Sequence, residues 1–153
     1  MFQISRRADY AVRIMIELGV HEATQLMPTR VIAQKTGVPK AFLHKIANDL
    51  ARSGLVRTVS GPAGGVGLAQ PAQAITMLNI LEAVEGPVCV NVCQVRPQDC
   101  PRTLICPGHD FFGELQASIL GQLRSRTLAD LVAQAERLRR TPRVRVQDEV
   151  PIG

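Results

Sequence analysis

The chain has 153 residues, of which 46% are hydrophobic, and carries a formal net charge of +5 at pH 7. A chain of this length buries one ordinary hydrophobic core, which excludes two independent enzymes. The N-terminus has no uninterrupted apolar segment, because Arg13 and Glu17 break the first apolar run. We therefore expect a cytoplasmic protein without an export signal or a membrane span.

The positive charge is concentrated in the first half of the chain. Residues 1–70 carry nine Lys and Arg against four Asp and Glu, whereas residues 71–153 carry nine of each. Between Arg30 and Arg57, both included, six basic residues are opposed by Asp49 alone. Such an excess is typical of a surface that neutralises phosphates, although a solvated basic face would have the same composition.

The spacing of apolar residues predicts three helices in this basic half. The first ends near Gly19. The second is a short helix that Thr29 caps and Gly37 closes, and the third begins at Val38-Pro39. Two short helices joined by a tight turn predict a helix-turn-helix whose second helix enters the major groove. The buried face of that helix consists of Leu43, Ile46, Ala47 and Leu50. Its opposite face is basic and amide-bearing and consists of Lys40, Ala41, His44, Lys45, Asn48 and Arg52.

A hairpin is predicted after the third helix. Two strand-like runs, residues 55–59 and 66–69, are joined by the glycine-rich turn SGPAGG. A hairpin in this place is the wing of a winged helix, and its glycines allow close approach of the backbone to other backbone or to phosphate. We expect base readout by Lys40, Ala41, His44, Lys45 and Asn48. We expect contacts with the DNA phosphates, which position the protein on the duplex, from Arg30, Arg52, Arg57, Gly61, Gly64 and Gly65.

The second half is predicted to be helical on either side of a cysteine-rich loop. A fourth helix spans residues 75–85, and a long amphipathic helix begins at His109 with a stripe of Phe112, Leu115, Ile119 and Leu123. This stripe could pack on its own domain, but winged-helix proteins usually bind two half-sites, which favours a dimer interface. Thr127 and Asp130 are spaced as a capping pair for a last helix. Residues 141–153 lack periodicity and are expected to form a disordered tail.

All four cysteines lie between Cys89 and Cys106. In a reducing compartment such a group favours metal or cluster ligands over disulfides. Cys93, Cys100 and Cys106 are separated by six and five residues. Zinc sites typically have two to four residues between a ligand pair, and among the cysteines only Cys89 and Cys93 are spaced in this way. The wider gaps favour a loop around an iron–sulfur cluster, and zinc remains the alternative.

The sequence resembles the IscR- and NsrR-type (Rrf) winged-helix regulators of bacteria. The resemblance covers about residues 1–135 and is most specific in GPAGGVGLAQPAQAITMLNILEAVEGP, residues 61–87. It implies a homodimer that binds palindromic promoter DNA, not an enzyme. It further implies a 2Fe–2S or 4Fe–4S cluster in the loop before the dimer helix, held by three cysteines and a variable fourth ligand. Some members carry no cluster.

The resemblance assigns the ligands residue by residue. Cys93, Cys100 and Cys106 match the three cysteines, with one residue inserted in the first gap. The fourth ligand is open between His109, which follows Cys106 by three residues, and Asp9, which would reach the cluster from the partner subunit. We favour Asp9, because that geometry ties the cluster directly to a DNA-binding domain. Cys89 matches no family position and is either a substitute ligand or a small apolar residue.

The wing and the recognition helix also depart from the family pattern. Ser60 stands where relatives often have an arginine, Val66 where an aromatic is usual, and His44 where an acidic residue occurs. Minor-groove reading by the wing is therefore in question, and the operator need not resemble those of relatives.

These patterns predict a mostly α protein with a small β wing and four regions. A winged helix-turn-helix domain occupies residues 1–86, a cysteine-rich cluster loop residues 87–108, dimerisation helices residues 109–140, and the tail the remainder. The expected function is transcription regulation by a cluster that senses redox state, nitric oxide or iron status. The alternative is a repressor of the same fold without a cluster, with structural zinc or thiol-based sensing. An electron-transfer or thiol redox enzyme is not expected, because the chain lacks a CxxC motif.

Overall fold

A computed structural model of the chain describes residues 3–21 and 25–141, which form six α-helices and one two-stranded antiparallel sheet. The elements are α1 Arg6–Val20, α2 Thr29–Thr36, α3 Lys40–Arg52, β1 Val56–Val59, β2 Gly65–Leu68, α4 Met77–Glu85, α5 Pro107–Ser125 and α6 Leu128–Arg140. The predicted fold class is thereby confirmed. Apart from Thr141, the predicted tail lies outside the described residues.

Most helix ends follow from local sequence. Ser5 caps α1 by accepting a hydrogen bond from the Ala8 amide, and Thr127 and Asp130 form the predicted capping pair of α6. Gly37 closes α2 in the left-handed region at φ 72°. The predicted cap of α2 is wrong: Thr29 is already the first helical residue, and Pro28 precedes it without a side-chain cap. An additional capping box at Thr76 begins α4.

One hydrophobic core holds the first four helices together. The predicted buried face of α3 is confirmed, with Leu43, Ile46, Ala47 and Leu50 at most 4% exposed. It packs with the apolar faces of α1 and α4, which are represented by the fully buried Ile14 and Ile80. Helix α3 is therefore held by the core on one face, and its opposite face is exposed to solvent.

The last helix joins this same core. Leu128, the first residue of α6, is fully buried, and Val132 packs beside it. A Cβ at Gly19 of α1 would lie 2.5 Å from Val132 Cγ2, so a glycine is required for the two helices to approach this closely. Helix α6 thus packs on the domain predicted for residues 1–86, while the division of the chain into four regions stays a prediction.

The wing is attached to the segment before α2. Its strands pair from Val56 with Leu68 to Val59 with Gly65, and Val66 also exchanges backbone hydrogen bonds with Met27. A Cβ at Gly65 would lie 2.4 Å from the carbonyl oxygen of Met27, and one at Gly64 would lie 2.0 Å from that of Val59. Both glycines are thus required by close backbone packing, and the side chain of Val66 is 2% exposed and belongs to the core.

Within the described residues, no helix combines the length and the apolarity that a bilayer crossing requires.

Candidate nucleic-acid interface and cysteine loop

The structure presents the whole predicted reading face of α3 to solvent. Every member of that face is exposed: Lys40, Ala41, His44, Lys45, Asn48 and Arg52. This follows from the sequence, because the four apolar positions of the same helix are taken up by the core. Three of the six side chains are cationic and a fourth is a carboxamide, which is the chemistry that contacts phosphates and base edges.

A groove of about 530 Å³ separates α3 from the wing. It brings together six of the eleven residues predicted to contact DNA, from three separate elements: Arg30 of α2, His44 and Asn48 of α3, and Gly61, Gly64 and Gly65 of the wing. Lys45 and Arg52 line a neighbouring depression that Asn48 shares. Arg57 lies exposed on β1. Eight of the eleven predicted residues therefore lie in two adjoining depressions along α3.

Asp49 is a structural residue that the sequence analysis treated only as an opposing charge. It is 6% exposed and forms ion pairs with Arg7 of α1 and Arg52 of α3. The pair with Arg7 fastens the recognition helix to the first helix. Arg52, predicted to contact phosphate, has this second role as well, although 78% of its side chain remains exposed. Its position three residues after the buried Ile46 was a signal in the sequence that Asp49 lies beside the buried face of the helix.

Glu17 is a second buried carboxylate, with 4% exposure. Its oxygens lie 3.3 Å from Lys35 Nζ of α2 and 2.6 Å from an Arg139 guanidinium nitrogen of α6. In the sequence, Glu17 indicates only that the first apolar run is interrupted. In the fold it links three helices, because a carboxylate removed from water requires charged partners.

The cysteine loop is built differently from the winged domain. Residues 87–106 include no buried residue and follow a path of two 3₁₀ turns, Val92–Gln94 and Pro97–Asp99. Cys93, Cys100 and Cys106 are half-buried, and Cys89 is exposed with its sulfur 3.0 Å from the carbonyl oxygen of Asn91. Two contacts fix the loop to α5: the Val90 amide donates to Gln116, and Gln94 donates to the carbonyl of His109.

The predicted ligands do not converge within one chain. Among the described residues, no group of three His, Cys, Asp or Glu side chains is placed to hold a metal ion. The donor chemistry fits an iron–sulfur cluster, because three thiols share one 14-residue stretch. In this conformation, however, the three thiols are not gathered at one metal site.

The two candidates for a fourth ligand lie at opposite ends of α5. His109 is in the first turn, next to the loop. Asp9 pairs with Arg13 at 2.7 Å and lines the same groove as Leu123 in the last turn. Leu123 is 17 positions beyond Cys106, or about 25 Å along the helix axis. Within one chain Asp9 is therefore far from the cysteines.

Helix α5 leaves apolar surface uncovered. None of its residues is buried in the described chain, and Phe111 and Leu115 are 60% and 39% exposed. Of the predicted stripe, Leu123 packs against the core of its own chain, while Phe112 and Ile119 are half-buried. In the adjoining loop, Leu104 and Ile105 are 97% and 73% exposed. This surface is available to a partner.

Known proteins are similar to this chain in sequence. Residues 4–134 match the Rrf2 family, which is described as an iron-dependent transcriptional regulator. The chain is 27% identical over 133 residues to protein rrf2 of Nitratidesulfovibrio vulgaris, with 87% of this chain and 89% of that protein covered. It is 28% identical to the HTH-type transcriptional regulator IscR of Photorhabdus laumondii, with 99% and 98% covered.

Two solved structures have a similar fold. CymR (YrzC), the global cysteine regulator of B. subtilis, superposes with a TM-score of 0.70 at 27% identity, with 88% of this chain and 98% of CymR covered. IscR of T. potens superposes with a TM-score of 0.74 at 24% identity, with 93% and 94% covered, and supports the fold alone.

Proposed function

The chain belongs to the Rrf2 family of iron-dependent transcriptional regulators, and on that premise we propose that it is a homodimeric regulator that binds palindromic promoter DNA under control of an iron–sulfur cluster. Regulation of transcription, not catalysis, is the role of this family. The reading face of α3 next to the wing groove is the observation that carries the proposal.

The geometry of α3 suits the major groove. Its 13 residues span about 20 Å, and its exposed face carries the cations and the amide that DNA recognition uses. The helix is supported from behind by the core and by the Arg7–Asp49 ion pair, so little ordering is needed on binding. The proposed base contacts come from Lys40, Ala41, His44, Lys45 and Asn48, and the proposed phosphate contacts from the arginines and the wing.

The uncovered face of α5 supports the dimer. A helix that leaves Leu115 exposed and Ile119 half-buried in one chain gains stability by packing on a second copy. A two-fold dimer would present two recognition helices, and a palindromic operator has the matching symmetry.

Cys93, Cys100 and Cys106 are the proposed cluster ligands. Their support is the donor chemistry of three thiols in a loop that joins α4 to α5. When bound, the cluster would supply a group that reacts with oxidants or nitric oxide. The chain itself would respond by a conformational change. A change in the conformation of the loop would shift α4 relative to α5 and so bias the arrangement of the paired recognition helices.

A cluster-free or zinc-stabilised regulator of the same fold is the second candidate. It is favoured by the open arrangement of the thiols and by the likeness to the cysteine regulator CymR. Anaerobic purification, an absorption spectrum, and iron, sulfide and zinc analysis separate the two. Iron and sulfide in matched amounts, with operator affinity that changes when they are removed, support the cluster. Zinc or no metal, with unchanged affinity, contradicts it.

A further inference from the structure

The side chain of Gln94 lies between two of the candidate ligands. Its amide nitrogen Nε2 is 2.8 Å from the carbonyl oxygen of His109, 3.2 Å from His109 Nδ1 and 3.6 Å from Cys93 Sγ. Gln94 is half-buried, so these contacts are partly shielded from water.

The contact with the backbone fixes which way the amide points. A carbonyl oxygen only accepts hydrogen bonds, so the nitrogen of the Gln94 amide, and not its oxygen, must face His109. The same nitrogen also faces His109 Nδ1, and Nδ1 must therefore be the unprotonated, accepting nitrogen of the neutral ring. The proton is then on Nε2. In this arrangement neither ring nitrogen offers a free lone pair to a metal.

Gly113 makes room for this arrangement. It lies in the second turn of α5, and a Cβ at its position would be 3.1 Å from Gln94 Oε1, tighter than an ordinary contact. A glycine inside a helix costs about 0.5–1 kcal/mol relative to alanine. A Cβ at this position would require the Gln94 amide to shift by a few tenths of an ångström.

We propose that Gln94 is a positioning residue that keeps His109 out of metal ligation and donates a hydrogen bond to the sulfur of Cys93. This rests on the proposed cluster, and it leaves Asp9 of the partner subunit and Cys89 as the candidates for the fourth ligand. Two hydrogens on one amide nitrogen serve three acceptors, so one of them is shared between Nδ1 and Sγ. A hydrogen bond to a ligating sulfur stabilises the more negative, reduced state of a cluster and raises its reduction potential.

The first test needs no cluster. Nitrogen-15 spectra of the metal-free protein at pH 8, where an ordinary imidazole is neutral, distinguish a fixed tautomer from a mixture. We expect His109, assigned with His109→Ala, to show a fixed unprotonated Nδ1. Gln94→Leu should convert it to a mixture, whereas Gln98→Leu, which removes an exposed glutamine from the same loop, should leave it unchanged. A mixture in the wild type would overturn the proposal.

The second test uses the cluster-loaded protein. Pulsed electron-resonance spectra of the reduced wild type should show no strongly coupled imidazole nitrogen. Gln94→Leu should lower the midpoint potential, and Gln98→Leu should not. Strong nitrogen couplings in the wild type that His109→Ala removes and Asp9→Ala retains would overturn the proposal. If no iron or sulfide is bound at all, the cluster function fails, and the nitrogen-15 result alone decides whether Gln94 holds His109.

Discussion

The winged domain and the cysteine loop differ in what holds them in place. The domain has a core of residues between 0% and 7% exposed, to which α1, α2, α3, α4, the wing and the start of α6 all contribute. The loop of residues 87–106 has no buried residue, and local turns and two side-chain contacts to α5 hold it. The proposed DNA-reading surface is thus formed within one chain. The cysteine loop, proposed to hold the sensor, is not buried within one chain, and we infer that a bound group, a second copy or both cover it.

The largest expected effect concerns the cysteine loop and its three proposed ligands. Cys93→Ala, Cys100→Ala and Cys106→Ala should each abolish the absorbance, iron and sulfide of the cluster, because each removes one thiolate ligand. Unfolding by urea should change little, since none of these residues belongs to the core.

Cys89→Ala is the matched control. Its side chain is exposed, and its sulfur contacts the loop's own backbone at Asn91. We expect a full iron and sulfide content in this variant. Retention of the cluster in any of the three other variants, or its loss in Cys89→Ala, would show that the ligand assignment is wrong.

The second expected effect concerns the uncovered face of α5. Leu115→Glu combined with Ile119→Glu should give monomers in sedimentation experiments and lower operator affinity by about 100-fold or more, because a monomer binds one half-site. These two positions are chosen because Leu123 packs on the core of its own chain, so that its replacement would also disturb the domain. A wild type that is monomeric at micromolar concentration would contradict the dimer.

Sequence alone predicted the helices of the winged domain well, because the spacing of apolar residues specifies which face of each helix is buried. The apolar spacing of α3 and α4 reappears as buried side chains, and Gly37 closes α2 in the predicted conformation. The wing glycines were predicted to serve the turn or phosphate. Gly64 does serve the turn, where a Cβ would meet the carbonyl of Val59. Gly65 is needed instead for contact with the carbonyl of Met27, 38 positions earlier, a long-range packing effect that spacing cannot reveal.

The rest could not be predicted because it depends on partners distant in sequence. Glu17 and Arg139 are 122 positions apart, and Arg7 and Asp49 are 42 apart, so no local pattern pairs them. The packing of α6 on α1 was missed for the same reason. In the loop, the spacing of the cysteines predicts iron–sulfur ligation, which stays a prediction. The position of Gln94 against His109 follows only from the way the loop packs on α5.

The third expected effect is on DNA binding and separates two cations of the reading surface. Lys45→Ala should weaken operator binding and reduce the salt slope by about one, as expected for one lost phosphate contact, with stability changed by less than about 0.5 kcal/mol. Arg52→Ala should have the same effect on binding but should also destabilise the domain by about 1 kcal/mol, because it removes one of the two partners of the buried Asp49.

Affinities over a salt series and urea unfolding measure both properties. Equal stability of the two variants would show that the Arg52–Asp49 pair contributes nothing. Unchanged affinity and slope in both would show that this side of α3 does not contact phosphate.

The smallest expected effect tests whether α6 belongs to the winged domain whatever the state of the loop. The backbone amide of Thr127, its hydroxyl and the nearby charge of Arg126 lower the pKa of Asp130 below its usual value. A carboxyl whose pKa is lowered on folding contributes stability above its unfolded pKa, and this contribution is lost as the pH falls through the folded pKa. Carbon-13 titration should show the lowered pKa, and Thr127→Ala should raise it towards the usual value. Because α6 is fixed to the core by Leu128 and not by the loop, the titration should be identical when Cys93, Cys100 and Cys106 are all replaced by alanine. A pKa of Asp130 that changes with the loss of the cysteines would mean that the loop and the domain are not separate structural units.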